Sequence, residues 1–411
     1  MFQRDRLFWM FAWVLPALYF LFPTVMVLSN VMMLLVLVGF ALTMSKNDLA
    51  AQYWSWPARW LLAMVGMVLI GIFYTTAPWS WVEVNLGKYA KFVYAVVLML
   101  LFSQQPVLQK RTLAAFVVAM LFILISTWLN VWFVLPWSVS KFPGWGLSHH
   151  VFGDYITQNV MMSFFVVLAF SKLKKPFFEA VNLMWLCAAV LAVVSITHLS
   201  DGRTGFLLLL AGLMSLLVVR FKRKQVWFAI ILMVVLIIIT LSSSKMLSDR
   251  FVLGWNEFVN RDADVMTSIG HRVYNYKTTP QLVAESPLVG HGTGAYHVEI
   301  CRFLDKPEWC DMFRWHTHNQ FLFFAADYGL VGVLLYVALL ASLYRVAWRS
   351  NQPQAKVRLT ALTSILIVDG MVNTPLYSSI ESHFFLYMMA LLVAMNRQGE
   401  DAIGMPALKT L

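Results

Sequence analysis

The chain has 411 residues, of which 60% are hydrophobic and only 12% charged, with a mean hydropathy of +0.71. Ordinary soluble domains carry about 25% charged residues, so this composition excludes one and indicates an all-α polytopic membrane protein. The net charge of +11 follows a membrane topology rather than a nucleic-acid-binding stripe, and no nucleic acid partner is expected.

Twelve apolar spans are expected, at about 7–23, 26–44, 57–75, 89–103, 112–135, 156–170, 177–198, 204–220, 225–243, 330–348, 357–372 and 382–396. With the amino terminus inside, the inner connections hold 19 of the 31 basic residues, among them Lys172, Lys174, Lys222, Arg223 and Lys224. Short outer segments hold only Lys88, Lys91, Lys141 and Arg203. That asymmetry assigns both termini to the cytoplasm. The first apolar run lacks a cleavage-site pattern, so no secretory signal is expected. The organisation is then nine spans in 1–243, an outer loop and half-helix in 244–329, and three spans with a loose tail in 330–411.

The fourth span is preceded by Lys88 and Lys91, one turn apart, which suits lipid headgroups and a diphosphate equally. Arg203, in Ser200-Asp201-Gly202-Arg203-Thr204-Gly205, defies the inside bias for basic residues and needs an anionic partner. Asp201 or a phosphate would serve.

Residues 244–317 form the one large soluble segment. Phe251, Val252, Trp255, Phe258 and Val259 recur at helical spacing and predict an amphipathic helix on the membrane. A second helix begins near Ser268, carries Arg272 and Tyr276, and is expected to kink or end at Pro280. Asp262-Ala263-Asp264 is a D-x-D, but two carboxylates in a charged loop make no dedicated cage, and no metal site is expected. In Glu285–Gly294 the alternate glycines, Gly290 and Gly292, would let backbone N–H groups approach a phosphate, although a tight loop without ligand is the commoner meaning. Cys301 and Cys310 share this outer segment and are expected to form a local structural disulfide.

Next comes Trp315-His316-Thr317-His318-Asn319-Gln320. Thr317 and Gln320 have capping-box spacing, which puts the helix start at Thr317 and His318 in the first turn. There the dipole disfavours the imidazolium, leaving His318 neutral as a general base must be. A plain polar cap is the structural alternative. His316 lies two residues from His318, and on a helix such residues point apart. Either His316 or Asn319 would orient His318. The apolar pattern from His318 to Arg349 would be about 46 Å as one helix, too long for a core of about 30 Å. Gly329 is the expected break, with Asp327 turned towards protein or water.

Three motifs give the chain its resemblance to the O-antigen ligases of Gram-negative inner membranes and the related polymerases. His318-Asn319 followed by Gly329-Leu330-Val331-Gly332 matches the H-[NSQ]-x9-G-x-x-[GTY] pattern of that family. Gly270-His271-Arg272 leading to Pro287-Leu288-Val289-Gly290-His291-Gly292 is similar to its arginine helix and P-L-x-G-x-G loop. Ser200–Gly205 resembles its S-x-S-R-x-G element, with Gly202 where serine is common. The resemblance implies glycan transfer from undecaprenyl diphosphate to a sugar hydroxyl of lipid A-core oligosaccharide, on the periplasmic face, with no nucleotide sugar, metal or other cofactor. It further implies Arg203 and Arg272 on the diphosphate and His318 as the base, with inversion at the anomeric carbon. Lys88, Lys91, His316, Asn319, Gly290 and Gly292 are the accompanying substrate-binding candidates. A polymerase, a protein O-oligosaccharyltransferase and a non-enzymatic transporter of lipid-linked sugars are the alternatives.

Overall fold

The computed structural model describes residues 2–43, 55–174, 176, 178–260 and 265–397. Among the described residues all regular structure is helical, as backbone in a hydrocarbon phase requires. In chain order the long helices are α1 (Phe2–Leu21), α2 (Met26–Thr43), α3 (Trp56–Gly71), α4 (Trp79–Gln104), α5 (Pro106–Leu129), α6 (Tyr155–Lys172) and α7 (Ala180–His198). They continue with α8 (Arg203–Arg220), α9 (Arg223–Ser243), α10 (Lys245–Val259), α11 (Ser268–Glu285), α12 (Gln320–Arg349), α13 (Pro353–Val372) and α14 (Ser379–Arg397).

Each of the twelve expected spans falls on one of these helices. Among the described residues seven helices are long and apolar enough to cross a membrane: α4, α5, α7, α8, α9, α12 and Ser379–Asn396 of α14. Met10–Leu21, Met26–Leu42 and Trp56–Gly71 are shorter apolar helices. α4 begins at Trp79, ten residues before the expected start at 89, so Lys88 and Lys91 lie inside it and not ahead of it.

The centre of the molecule is α14, buried from Phe384 to Ala394 and packed along α4. Tyr19 and Phe22 of α1 both meet Tyr387 about this axis, Tyr19 also meets Phe102 of α4 edge-on, and Phe22 stacks on Phe116 of α5. α13 packs along α8 and α12 against α3, which closes the bundle. α9 differs. Trp227, Ile231, Leu236 and Ile238 are each more than half exposed. A helix apolar on its outer faces with no protein over it suits lipid.

α12 breaks where expected. Gly329 has φ 61° and ψ −151°, outside the helical region, and splits α12 into two halves. A second half starting inside the protein needs partners for its first N–H groups. Leu330 N donates to Pro287 O at 2.8 Å and Val331 N to Leu288 O at 3.2 Å, so the 286–294 loop serves as its cap. Asp327 is fully buried and its Oδ1 accepts the Tyr296 N–H at 2.8 Å. It faces protein, not lipid.

Of the two outcomes expected at Pro280, a kink or an end, the end does not occur. α11 runs on through Pro280 to Glu285. Proline removes a single helical hydrogen bond, and Leu282, wholly buried two residues further on, holds the chain in helical register. α10 does form over the expected segment, with Val252, Trp255 and Val259 exposed along one side.

Candidate functional site

The two arginines come from helix starts that one carboxylate ties together. Arg203 is the first residue of α8. Its Nη1 donates to Arg250 O at 3.0 Å and its Nη2 lies 3.3 Å from Glu257 Oε2. Gly254 makes room for it, since a Cβ there would collide with Nη1. The preceding turn is held by Asn159 Nδ2, which donates to Ser200 Oγ at 2.7 Å. A Cβ at Gly202 would come within 2.7 Å of Asn159 Nδ2, which accounts for glycine at this position. Asp201 pairs with Arg250 at 3.3 Å rather than with Arg203.

Arg272 lies in the second turn of α11. Its Nε donates to Val372 O at 3.2 Å and its Nη1 to Ser268 Oγ at 3.1 Å. Burial, and then the nearby charge of Arg203, lower its pKa from the usual arginine value. Two guanidinium groups that oppose each other in a partly buried place favour an anion between them.

His318 sits beside this pair, but not as a first-turn residue. The N-cap of α12 is Asn319, whose Oδ1 accepts the Leu322 N–H at 3.0 Å. Thr317 Oγ1 instead binds within its own turn, donating to Asn319 O and accepting from Asn319 N. Gln320 is drawn away from a capping box because its Oε1 accepts the Leu376 N–H at 2.9 Å. His318 thereby takes φ 53°, alone among described non-glycine residues in having a positive value. Such a conformation is unfavourable for most side chains and persists where its surroundings fix it.

The two histidines of this segment, expected to point apart, meet. His316 and His318 have ring centroids 4.2 Å apart, since the helix begins only after both, and the His318 N–H points at His316 Nδ1 at 3.4 Å. His271 comes up from α11 to 4.9 Å from the His318 ring. Burial, first, and then His316, Arg272 and His271 push the His318 pKa far below the ordinary range. Burial followed by neighbouring cations sets His271 and His316 at about 4. All three rings are neutral at pH 7. His318 Nδ1 and His271 Nε2 are buried and have no hydrogen-bond partner. Desolvation and neighbouring charges, and not the expected place in a first helical turn, lower the His318 pKa.

Asn319 Nδ2 donates to Tyr276 OH at 2.9 Å, and Tyr276 OH in turn to Met371 O. Asn319 therefore braces the turn against α11 and α13, while His316 touches His318 itself. His297, stacked on Trp81 at 4.3 Å, joins the cluster from the outer segment. Its charge would act on His316, as would that of Lys88. Lys88 Nζ donates to Ser379 Oγ at 2.6 Å and Lys91 Nζ to Ser382 Oγ at 2.5 Å. Both lysines line a cavity of about 390 Å3 that also holds Asn30 and His383. The structure thus brings together His271, His316, His318 and Asn319, with Arg272 near both His318 and Arg203, while Lys88 and Lys91 line that other cavity.

Gly290 and Gly292 do not present their N–H groups to a ligand. Gly290 N donates to Ser286 O at 3.0 Å and Gly292 N to Asp327 O at 2.8 Å. Both have positive φ, and a Cβ at Gly290 would collide with the Asp327 backbone. Their work is to pack the loop onto the break of α12. Cys301 and Cys310 are joined as expected, with Cα atoms 5.0 Å apart. Asp262 and Asp264 lie outside the described residues. Among the described residues no group of three or more His, Cys, Asp and Glu is arranged to hold a metal ion.

His271 and Tyr276 were not among the sequence candidates. The first stands inside the quoted Gly270-His271-Arg272 motif, a signal that was available; Tyr276, one turn beyond Arg272, was equally legible as a same-face neighbour. His297 is isolated in sequence, and nothing there points to it.

Residues 186–337 match the family model described as O-antigen ligase. No curated protein matches the chain. A chain from a solved structure titled "Structural coordination of polymerization and crosslinking by a peptidoglycan synthase complex" is 15% identical. The alignment covers 84% of this chain and 97% of that one, with a TM-score of 0.46.

Proposed function

From the premise that residues 186–337 place this membrane protein in the O-antigen ligase superfamily, we propose that it is a lipopolysaccharide O-antigen ligase. It moves a glycan from undecaprenyl diphosphate to a sugar hydroxyl of lipid A-core oligosaccharide. The observation that carries this reading is the position of Arg272, partly buried and close enough to feel the charge of Arg203 on one side and to act on His318 on the other. The basic-residue asymmetry supports an outer-face site with both termini cytoplasmic, and the likeness to the O-antigen ligase family supports the inner membrane of a Gram-negative cell.

In this mechanism Arg203 and Arg272 bind the diphosphate and stabilise the negative charge that grows as the anomeric C–O bond breaks. His318 accepts the proton of the attacking core hydroxyl, whose oxygen forms the new bond to the anomeric carbon. Undecaprenyl diphosphate leaves on the opposite face, so configuration inverts. Burial and the neighbouring cation leave His318 a weak base on their own. Arrival of the diphosphate adds negative charge beside the imidazole and raises its affinity for a proton only once donor is bound.

The test is glycan transfer by detergent-solubilised protein given undecaprenyl-diphosphate glycan and core lipopolysaccharide, with EDTA present. Wild type is expected to transfer, and His318→Ala and Arg272→Ala to lose at least about a hundredfold while remaining folded. Transfer that survives His318→Ala rejects the base. Loss on EDTA returns attention to Asp262 and Asp264. Longer glycans on the carrier, without transfer to core, identify a polymerase.

A further inference from the structure

The loop after α5 and the junction of α9 with α10 line an open cavity of about 580 Å3, whose wall includes Arg250, the residue that accepts from Arg203. Trp145, His198, Asp201, Lys245, Asp249 and Arg250 line it. That volume falls in the range of sites for small organic ligands, about 300–1,000 Å3. Trp145 is 59% exposed, its ring 6.1 Å from Trp128 and 5.9 Å from His198. These contacts fix the indole while leaving one part of it open.

Charge separates this cavity from the arginine site. The cations Lys245 and Arg250 are matched by Asp201 and Asp249, so the wall carries no formal excess. A phosphate or an anionic headgroup gains nothing from such a balance. A neutral polyhydroxylated ring gains from each part of it, since its hydroxyls both donate and accept. The C–H face of such a ring also packs on the electron-rich face of an indole. Arg250 joins the two places: its carbonyl accepts from Arg203 at 3.0 Å, and its guanidinium lies 3.3 Å from Asp201 in the cavity wall. A glycan attached to a diphosphate on Arg203 would have its sugars at this opening.

We propose that the cavity is a carbohydrate subsite that takes neutral sugar rings of the donor glycan, with Trp145 as the stacking platform. This inference rests on the reading of Arg203 as a diphosphate ligand.

The experiment is equilibrium binding of carrier-free O-antigen oligosaccharide, released by mild acid from lipopolysaccharide of the source cells, to the purified full-length protein. Calorimetry would compare wild type, Trp145→Ala and Trp145→Phe, each with and without inorganic pyrophosphate. Wild type should bind, Trp145→Ala should bind about tenfold more weakly or worse, and Trp145→Phe should retain most of the affinity. Pyrophosphate, which would fill the arginine site, should leave oligosaccharide binding in place. No binding to wild type overturns the proposal. So does equal affinity in Trp145→Ala, which would leave Trp145 as a membrane-interface anchor, and so does displacement by pyrophosphate. Oligosaccharide binding that persists when glycan transfer cannot be detected would reject the ligase reading and keep the subsite.

Discussion

The Glu257 carboxylate lies 3.3 Å from Arg203 Nη2, and the same oxygen accepts the Ile269 N–H at 3.2 Å. One side chain of α10 therefore fixes the guanidinium of α8 and the first turn of α11, the helix that carries Arg272. A shift of that carboxylate would disturb the Arg203 guanidinium and the start of the helix that carries Arg272.

Replacing Glu257 should consequently act through Arg203. Hydrogen bonds to charged groups are worth about 1.5–3 kcal/mol, and even half of that is about threefold to tenfold in rate. Glu257→Ala is expected to lower kcat/KM for transfer about tenfold, with a smaller loss for Glu257→Gln, which keeps an acceptor. The check is steady-state transfer alongside a melting curve. Full activity in Glu257→Ala would show that Arg203 holds its place without this partner.

Asn319 does two jobs at once. It caps α12 through Leu322 N and reaches Tyr276 OH with its amide. Removing an N-cap costs about 1 kcal/mol, so Asn319→Ala should lower stability by that order. Because the turn also sets the backbone of His318, transfer should fall by more than this stability loss explains. Tyr276→Phe separates the two effects, since it leaves the cap intact. It should reduce transfer with little change in melting temperature, and a variant as active as wild type would show that the Tyr276 brace is unnecessary.

The sequence made the large features legible because they rest on strong, local physics. Long apolar runs had to be helices, and Gly329 had to break the run from His318 to Arg349. Arg203 stood out because a basic residue at a short outer helix start runs against the charge asymmetry, and Arg272 because of the Gly270-His271-Arg272 motif. What stayed hidden depended on competition between near-equal alternatives. Thr317 and Asn319 can each cap α12, and the choice fell to Asn319 because Gln320 finds a better partner in Leu376 N, 56 residues away. Once the start moved two residues, His316 and His318 were no longer on a helix, and their contact could not be read from spacing. The roles of Gly290 and Gly292 were ambiguous for the same reason: positive φ serves a phosphate loop and a packed loop alike.

Those glycines yield a stability prediction. Gly290 has φ 67° and no room for a Cβ against the Asp327 backbone. Gly290→Ala must move either the loop or the first half of α12, and strain with overpacking of this kind costs about 1–3 kcal/mol. The folded yield and the melting temperature should both drop. A variant that melts with wild type would mean that the loop has freedom the packing does not suggest.

The buried histidines predict how the protein responds to acid. An unfolded chain titrates its histidines near about 6.5, whereas burial sets His271, His297 and His316 at about 4 in the folded protein. Below pH 6.5 the unfolded chain therefore binds protons that the folded one refuses, and stability falls with decreasing pH until the folded rings titrate. In His297 burial outweighs the hydrogen bond of Nδ1 to Arg314 O at 2.6 Å, which by itself favours the charged ring, while Nε2 faces Tyr377 OH at 3.1 Å. Melting temperature should decline steadily from about pH 6.5 to about pH 4, and less steeply in His297→Gln. Activity should follow a different course. His318 stays unprotonated in the free protein well below pH 6.5, so kcat/KM should show no acid limb near an ordinary histidine pKa, provided measurements stop before unfolding. A limb centred near pH 6.5 that vanishes in another histidine variant would move the base from His318 to that residue.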